Sequence, residues 1–216
     1  METRKIEGSQ GLTSTELDRI STNKDKRMKN NKIRAILFDM VGVLLFKKKG
    51  YIPKTKEELN AEKIEKLYNN VNDKKLLLDV KSKLGLTDGE IKKALARIPE
   101  KYEKLEELWS LLPVLKKKYK IAIINNGNSL ADKYWRKKFD FGMFDVFVNS
   151  AKEGIKKPNP KIYFLTCKRL RVKPEHCLFI DDLPKNIKTA KKLKMKTILW
   201  NRKKDSYEKF ISLVSP

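Results

Sequence analysis

Apolar positions along this 216-residue chain follow two regimes. Between about 54 and 112 they recur at helical spacing: Leu59, Ile64 and Leu67, then Leu76, Leu77, Val80 and Leu84, then Ile91, Ala94, Leu95 and Ile98. That period marks amphipathic helices. "TKEE" at 55–58 and "TDGE" at 87–90 place Thr at a helix cap with Glu three residues on, the capping-box arrangement. The spacing predicts three or four short helices here. It also predicts a longer helix over about 100–118, through Leu105, Leu108, Leu112 and Leu115, broken or kinked at Pro113.

On either side of this region the apolar runs are short and continuous: "IRAILF" at 33–38, "YKIAIINN" at 119–126, "DVFVNS" at 145–150, "CLFIDD" at 177–182 and "TILW" at 197–200. Helical stretches intervene at about 129–138, 159–170, 184–193 and 205–214. Strands that alternate with helices predict an α/β fold, a parallel Rossmann-like sheet with helices on both faces. Residues 1–32 mix Gly, Ser, Thr and Asn through charges and lack the apolar area to offset the entropy of ordering, which predicts a disordered tail. Met28, shortly before the first strand, is a natural alternative start, so residues 1–27 read as an upstream extension.

Composition narrows the class. Apolar residues make up 40%, enough for a core, but no run reaches the 18 or more residues of a membrane span. The opening "METRKIEGSQ" lacks the apolar stretch of a secretory signal, and the chain reads as cytoplasmic. Cys167 and Cys177 are too few for a disulfide framework and read as small buried side chains. The formal charge of +24 comes mostly from lysine spread along the whole chain. A solvated basic surface accounts for it; attraction to polyanions or phosphorylated substrates is the sharper alternative. No nucleic-acid motif accompanies the charge, so nucleic acid is not expected as the main partner. His176 is expected to be exposed, and Trp109, Trp135 and Trp200 to be packing residues.

Candidate chemistry gathers where strands end. In parallel sheets, ligands bind at the carboxyl ends of the strands. Here those ends carry Asp39, Asn125 with Asn126, and Asp181 with Asp182. Three carboxylates at one rim repel one another. A divalent cation that takes oxygen ligands, Mg²⁺ above all, resolves the repulsion, and Lys157 in "GIKKPNPKIY" would complete the charge balance. Amide donors and the flexible Gly127 in "NNGN" suit an anionic oxygen.

With these motifs in this order, the chain resembles the haloacid dehalogenase-like hydrolases, in particular the branch with a helical cap inserted after the first strand. The likeness covers about 33–201. It implies a core at 33–45 and 113–216 and a helical cap at 46–112 that covers the rim and selects substrate. It also implies that Asp39 in "FDMVGVL" is the nucleophile, Asn125 stands where Ser or Thr binds a phosphoryl oxygen, and Lys157 is the motif-three lysine. In "FIDDLPKNIKTAKKLKMKTI", Asp182 would be a direct Mg²⁺ ligand, Asp181 a neighbouring or alternative one, and Asn186 an outer partner. Asn126 and Gly127 would contact substrate. The backbone carbonyl two residues after the nucleophile, that of Val41, would also hold the metal.

The side chain at 41 departs from the pattern. Phosphatases of the family carry there a second Asp that serves as general acid–base. Such a group contributes about 10²–10⁴-fold, roughly 2.7–5.5 kcal/mol of barrier. Four readings follow: a phosphatase acting on a small phosphorylated substrate, slowed or served by another donor; a carbon-centred hydrolase, for which Arg97 is the sole cap arginine; a non-catalytic phospho-ligand or regulatory protein on the same scaffold; and a scaffold whose lysines bind nucleic acid or acidic partners.

Overall fold

The computed structural model describes residues 32–68 and 72–214. The expected tail therefore lies, apart from Lys32, outside the described residues. The chain from Ile33 onward forms one compact unit.

Five parallel strands make the central sheet in the order β5-β4-β1-β6-β7. They are β1 (Ala35–Phe38), β4 (Lys120–Asn125), β5 (Val146–Asn149), β6 (Cys177–Asp181) and β7 (Lys196–Leu199). All neighbours pair in parallel, with Phe38 level with Ile123 on one side and Ile180 on the other. A parallel sheet covered on both faces needs apolar residues at every position, not alternate ones. β1 is accordingly buried throughout, as is β6.

Successive residues serve opposite faces. Ile36, Phe38, Ile121, Ile123, Leu178 and Ile180 join one apolar cluster with Trp109, Phe144, Trp200 and Phe210. Ala35, Leu37, Ala122, Ile124, Cys177 and Phe179 join another, beneath α8 (Pro160–Leu170) and α9 (Pro184–Lys192). On the first face lie α5 (Leu112–Lys116) and α10 (Lys204–Val214). The sheet and its covering helices agree with the sequence reading to within a few residues at each end.

Between β1 and β4 the chain departs from the core through a two-stranded antiparallel ribbon, β2 (Leu45–Lys47) with β3 (Tyr102–Lys104). Three helices lie within it: α1 (Lys56–Leu67), α2 (Asp73–Leu84) and α3 (Asp88–Arg97). Both anticipated capping boxes form. Glu58 N–H donates to Thr55 Oγ1 at 3.2 Å while Thr55 N–H donates to Glu58 Oε2 at 3.1 Å. The Thr87–Glu90 pair repeats the exchange at 3.3 and 3.0 Å. The inner faces meet through Ala61, Ile64, Ile91, Ala94 and Leu95, all buried.

The single long helix expected over 100–118 does not form. That stretch is a 3₁₀ turn (Pro99–Lys101), β3, the short α4 (Glu106–Trp109) and then α5. Pro113 sits in the first turn of α5, where its missing N–H costs nothing, so it opens a helix instead of kinking one. Leu108, Leu112 and Leu115 are buried as their spacing implied. β3 was hidden because its partner lies far away in the chain, Tyr102 opposite Lys47. His176 is a second correction. It is 8% exposed, drawn inward by a 3₁₀ turn whose His176 carbonyl accepts from Arg34 N–H at 2.8 Å. The three tryptophans and both cysteines are buried as expected; the cysteine sulfurs lie 3.7 Å apart as free thiols. The remaining segments are α6 (Asp132–Lys138) and α7 (Ser150–Glu153).

Trp109 pins the insert's exit to the core. Its Nε1–H donates to Leu44 O at 2.8 Å, and its ring packs within about 6 Å of Phe141 and Phe144. Trp109→Ala should destabilise the protein by about 3–5 kcal/mol, read as a lower midpoint in chemical denaturation. Trp109→Phe, which removes mainly one neutral hydrogen bond, should cost only about 1 kcal/mol.

Candidate active site

The parallel register brings the ends of β1, β4 and β6 to one rim. Asp39 follows β1 directly, and its N–H extends the ladder to Ile180 O at 2.9 Å. Asn125 closes β4 and Asp181 closes β6. Beyond Asp39 the chain folds back sharply, with Leu44 and Leu45 N–H both donating to Met40 O. Gly42 adopts φ +104, and a Cβ there would lie 2.4 Å from Asp182 Oδ2. Glycine is therefore required twice over, for the backbone conformation and for the approach of the Asp182 carboxylate.

Lys157 organises the rim. It is 2% exposed, and its Nζ donates to Asp39 Oδ1 at 2.5 Å and to Asp181 Oδ2 at 2.8 Å. A charge so deeply buried is tolerated only when paired. Asp181, fully buried, is further held by Asn186 Nδ2–H at 2.9 and 3.1 Å and by Leu183 N–H at 2.9 Å. The Lys157 backbone is gripped by the side-chain amide of Asn126. Its Oδ1 accepts from Lys157 N–H at 2.8 Å, and its Nδ2–H donates to Lys157 O at 2.9 Å. Ser150 Oγ accepts from Gly127 N–H at 3.1 Å and also meets the Tyr68 hydroxyl at 3.1 Å, tying the end of α1 to the rim.

Charges here are strongly coupled. Burial raises the Asp39 carboxyl to about 7; the Lys157 ammonium opposes the rise, while Asp181 and Asp182 reinforce it. Asp182, partly exposed, is raised by burial and by repulsion from Asp181. Burial alone would favour a neutral amine at Lys157, but the carboxylates of Asp39 and Asp181 more than offset it and hold the ammonium above the usual lysine range. Three carboxylates thus face one ammonium. Asp39, Asp181 and Asp182 each offer an oxygen, all within 4.8 Å of one another. An excess of negative charge presented only by oxygen donors fits a hard divalent cation such as Mg²⁺.

A cavity of about 280 Å³ opens above these groups. Asp39, Val41, Asn125, Asn126, Gly127, Lys157 and Asp182 all line it, together with Asn186; Asp181 lies behind, outside the lining. Every site residue implied by the resemblance is therefore at or directly beside one cavity, with Asn126 bonding the Lys157 backbone through both ends of its amide, whereas Arg97 is not among the lining residues. Val41 is partly buried and packs against the apolar core. The opposite wall comes from Glu65 and Tyr68 at the end of α1, Ile98 after α3, and Tyr102 of β3, with Trp135 of α6 beside them. None of these was singled out for the site. No local motif marks them, because only packing of the insert against the rim assembles that wall.

Among the described residues no helix is long and apolar enough to cross a membrane. Residues 33–194 match the family model described as haloacid dehalogenase-like hydrolase. The chain is 37% identical over 90 residues to a glyceraldehyde 3-phosphate phosphatase of Methanopyrus kandleri, covering 40% of this chain and 38% of that protein. It is 34% identical over 93 residues to acyl-CoA dehydrogenase family member 10 of Mus musculus, covering 43% of this chain and 9% of that protein. The chain thus spans well under half the length of these curated relatives. An enolase-phosphatase E1 of Persephonella marina is 26% identical over 81% of this chain and 91% of its own. Among solved structures, an enzyme of the same family from Bacteroides thetaiotaomicron, crystallised with magnesium and inorganic phosphate, superposes with a TM-score of 0.65 at 20% identity, over 82% of this chain and 99% of its own. With the family model spanning four of the five sheet strands, the insert and the rim, this chain belongs to the haloacid dehalogenase-like hydrolases.

Proposed function

We propose that this protein is a cytoplasmic Mg²⁺-dependent phosphatase that forms an aspartyl-phosphate at Asp39 from a small phosphorylated substrate. The observation that carries this reading is the Asp39–Lys157–Asp181 chain of buried charge at 2.5 and 2.8 Å, with the Asp182 carboxylate beside it. An isolated strand end needs no such arrangement; a carboxylate that attacks a dianion does. The phosphatase names of the Methanopyrus and Persephonella relatives support the same chemistry.

In this reading Asp39, Asp182 and the Val41 carbonyl hold the ion, with Asp181 adjoining. An ion held by these residues would supply neutralisation of phosphoryl charge as the nucleophile approaches. Asp39 attacks phosphorus through one carboxylate oxygen as the bond to the leaving oxygen breaks. Lys157 and the Asn125 amide hold phosphoryl oxygens. Asn126 acts first as a positioning residue, because one amide hydrogen and Oδ1 fix the Lys157 backbone, and its second Nδ2–H is left for a substrate oxygen in the cavity it lines. Water then attacks the acyl phosphate, releasing phosphate and restoring the carboxylate. Val41 can neither protonate the leaving oxygen nor take a proton from water. Leaving groups that depart as stable anions, such as those of acyl and aryl phosphates, are accordingly the best served.

The apolar packing of Val41 favours one second reading, a regulatory protein that binds a phosphorylated ligand without turning it over. A panel of acyl, aryl and alkyl phosphates, with and without Mg²⁺, separates the two. The phosphatase reading expects Mg²⁺-dependent phosphate release that EDTA abolishes and Asp39→Asn lowers by at least about 10³-fold. Binding without release would leave the regulatory reading, and release unchanged in Asp39→Asn would overturn Asp39 as the nucleophile.

Two further outcomes follow from the same geometry. Val41→Asp should raise kcat on alkyl phosphates by about 10²-fold, within the usual yield of a positioned acid–base, with much less gain on aryl phosphates. Asn126→Ala should release the Lys157 loop and lower kcat by about 10-fold or more. Mg²⁺ affinity should change little, and isothermal titration checks that second half.

A further inference from the structure

The wall of the cavity that faces Asp39 contains a built polar device. Glu65, in the last turn of α1, lines the cavity. Its Oε2 is paired with the ammonium of Lys101, which is 5% exposed, and its Oε1 accepts from the Tyr102 hydroxyl at 3.2 Å. Lys101 lies behind this carboxylate, outside the lining. The Tyr102 ring in turn rests against Trp135, with centroids 5.2 Å apart. Glu65 therefore has a fixed direction, and each carboxylate oxygen, accepting one bond, retains a second acceptor site. Nearby, Glu62 is already occupied with Lys47 at 2.8 Å.

A phosphoryl group seated among Asp39, Lys157 and Asn125 directs its leaving group away from the rim, toward this wall. What meets it is an acceptor with no free donor, backed by a neutralising cation that does not itself reach the cavity.

We infer that Glu65 selects the leaving group: it takes phosphate esters whose organic part carries hydroxyl donors and no second negative charge, and it disfavours esters bearing a carboxylate. This inference rests on the phosphatase reading and specifies its substrate class. A hydroxyl can donate to the second acceptor site of a Glu65 oxygen, a bond equivalent to the one solvent would make there. A carboxylate would face Glu65 at close range with its own acceptors unpaired, and like charges so placed repel.

The experiment compares glycerol 3-phosphate with phosphoglycolate, similar in size and opposite in this respect. The readout is the ratio of their kcat/KM values with Mg²⁺ present, taken within each protein so that folded fraction cancels. The wild type should prefer glycerol 3-phosphate about tenfold or more. Glu65→Gln removes the negative charge and leaves the Lys101 ammonium unpaired, so the ratio should fall about 100-fold and cross over in favour of phosphoglycolate. Lys101→Met leaves the carboxylate unneutralised and should move the ratio the other way. A merely structural role for Glu65 lowers both rates together and leaves the ratio where it was, which would overturn the inference. If the wild type turns over neither ester, calorimetric competition by the two corresponding non-hydrolysable phosphonates gives the same ratio as a binding preference. A preference that shifts as described then upholds Glu65 while the hydrolytic reading alone fails; a preference that does not shift overturns Glu65.

Discussion

Everything at the rim depends on one buried ammonium standing between two carboxylates. Lys157 is at 2% exposure, bonded to Asp39 on one side and Asp181 on the other. Removing the lysine would leave two buried carboxylates uncompensated, a far larger penalty than losing an exposed pair. The surrounding bonds hold the group in place. Asn126 holds the lysine's backbone at both polar atoms, while Asn186 and the Leu183 N–H hold the acid behind it. The two asparagines hold that geometry, and both also line the cavity. Asp39 gives one oxygen to Lys157, and the residue lines the cavity.

The electrostatics of the site run against those of the molecule. The chain carries +24 overall, yet its cavity collects carboxylates in excess of ammonium groups. A basic exterior attracts anions, whereas the carboxylates gathered at the rim outnumber the ammonium beside them and attract cations. Exterior and cavity thus favour charges of opposite sign.

Much of this was legible in the sequence because the relevant signals are local. β1, β4 and β6 announce themselves as continuous apolar runs, and in a parallel sheet such runs must end together at one rim, which is why Asp39, Asn125 and Asp181 could be grouped without coordinates. The capping boxes at Thr55 and Thr87 are equally local. What escaped was non-local. Tyr102–Lys104 carries no strand pattern and becomes a strand only because Leu45–Lys47 lies alongside. His176 is polar, yet the turn before β6 folds it inward. Glu65, Tyr68 and Tyr102 are unremarkable surface-type residues in a lysine-rich insert, and only their position over the rim gives them meaning.

The β2–β3 ribbon has a consequence for how such a protein can change. Entry and exit of the insert lie side by side, and both exit contacts, from Leu105 N–H and the Trp109 indole, converge on the single carbonyl of Leu44. Entry and exit at one neck let the insert vary in length without changing the register of the five-stranded sheet, but its packing against the core limits what can replace it: Ser129 N–H donates to the Asp73 carboxylate, and Lys138 Nζ donates to Pro99 O and to Glu100. A foreign insert grafted at this neck would keep the fold only where it rebuilt those contacts.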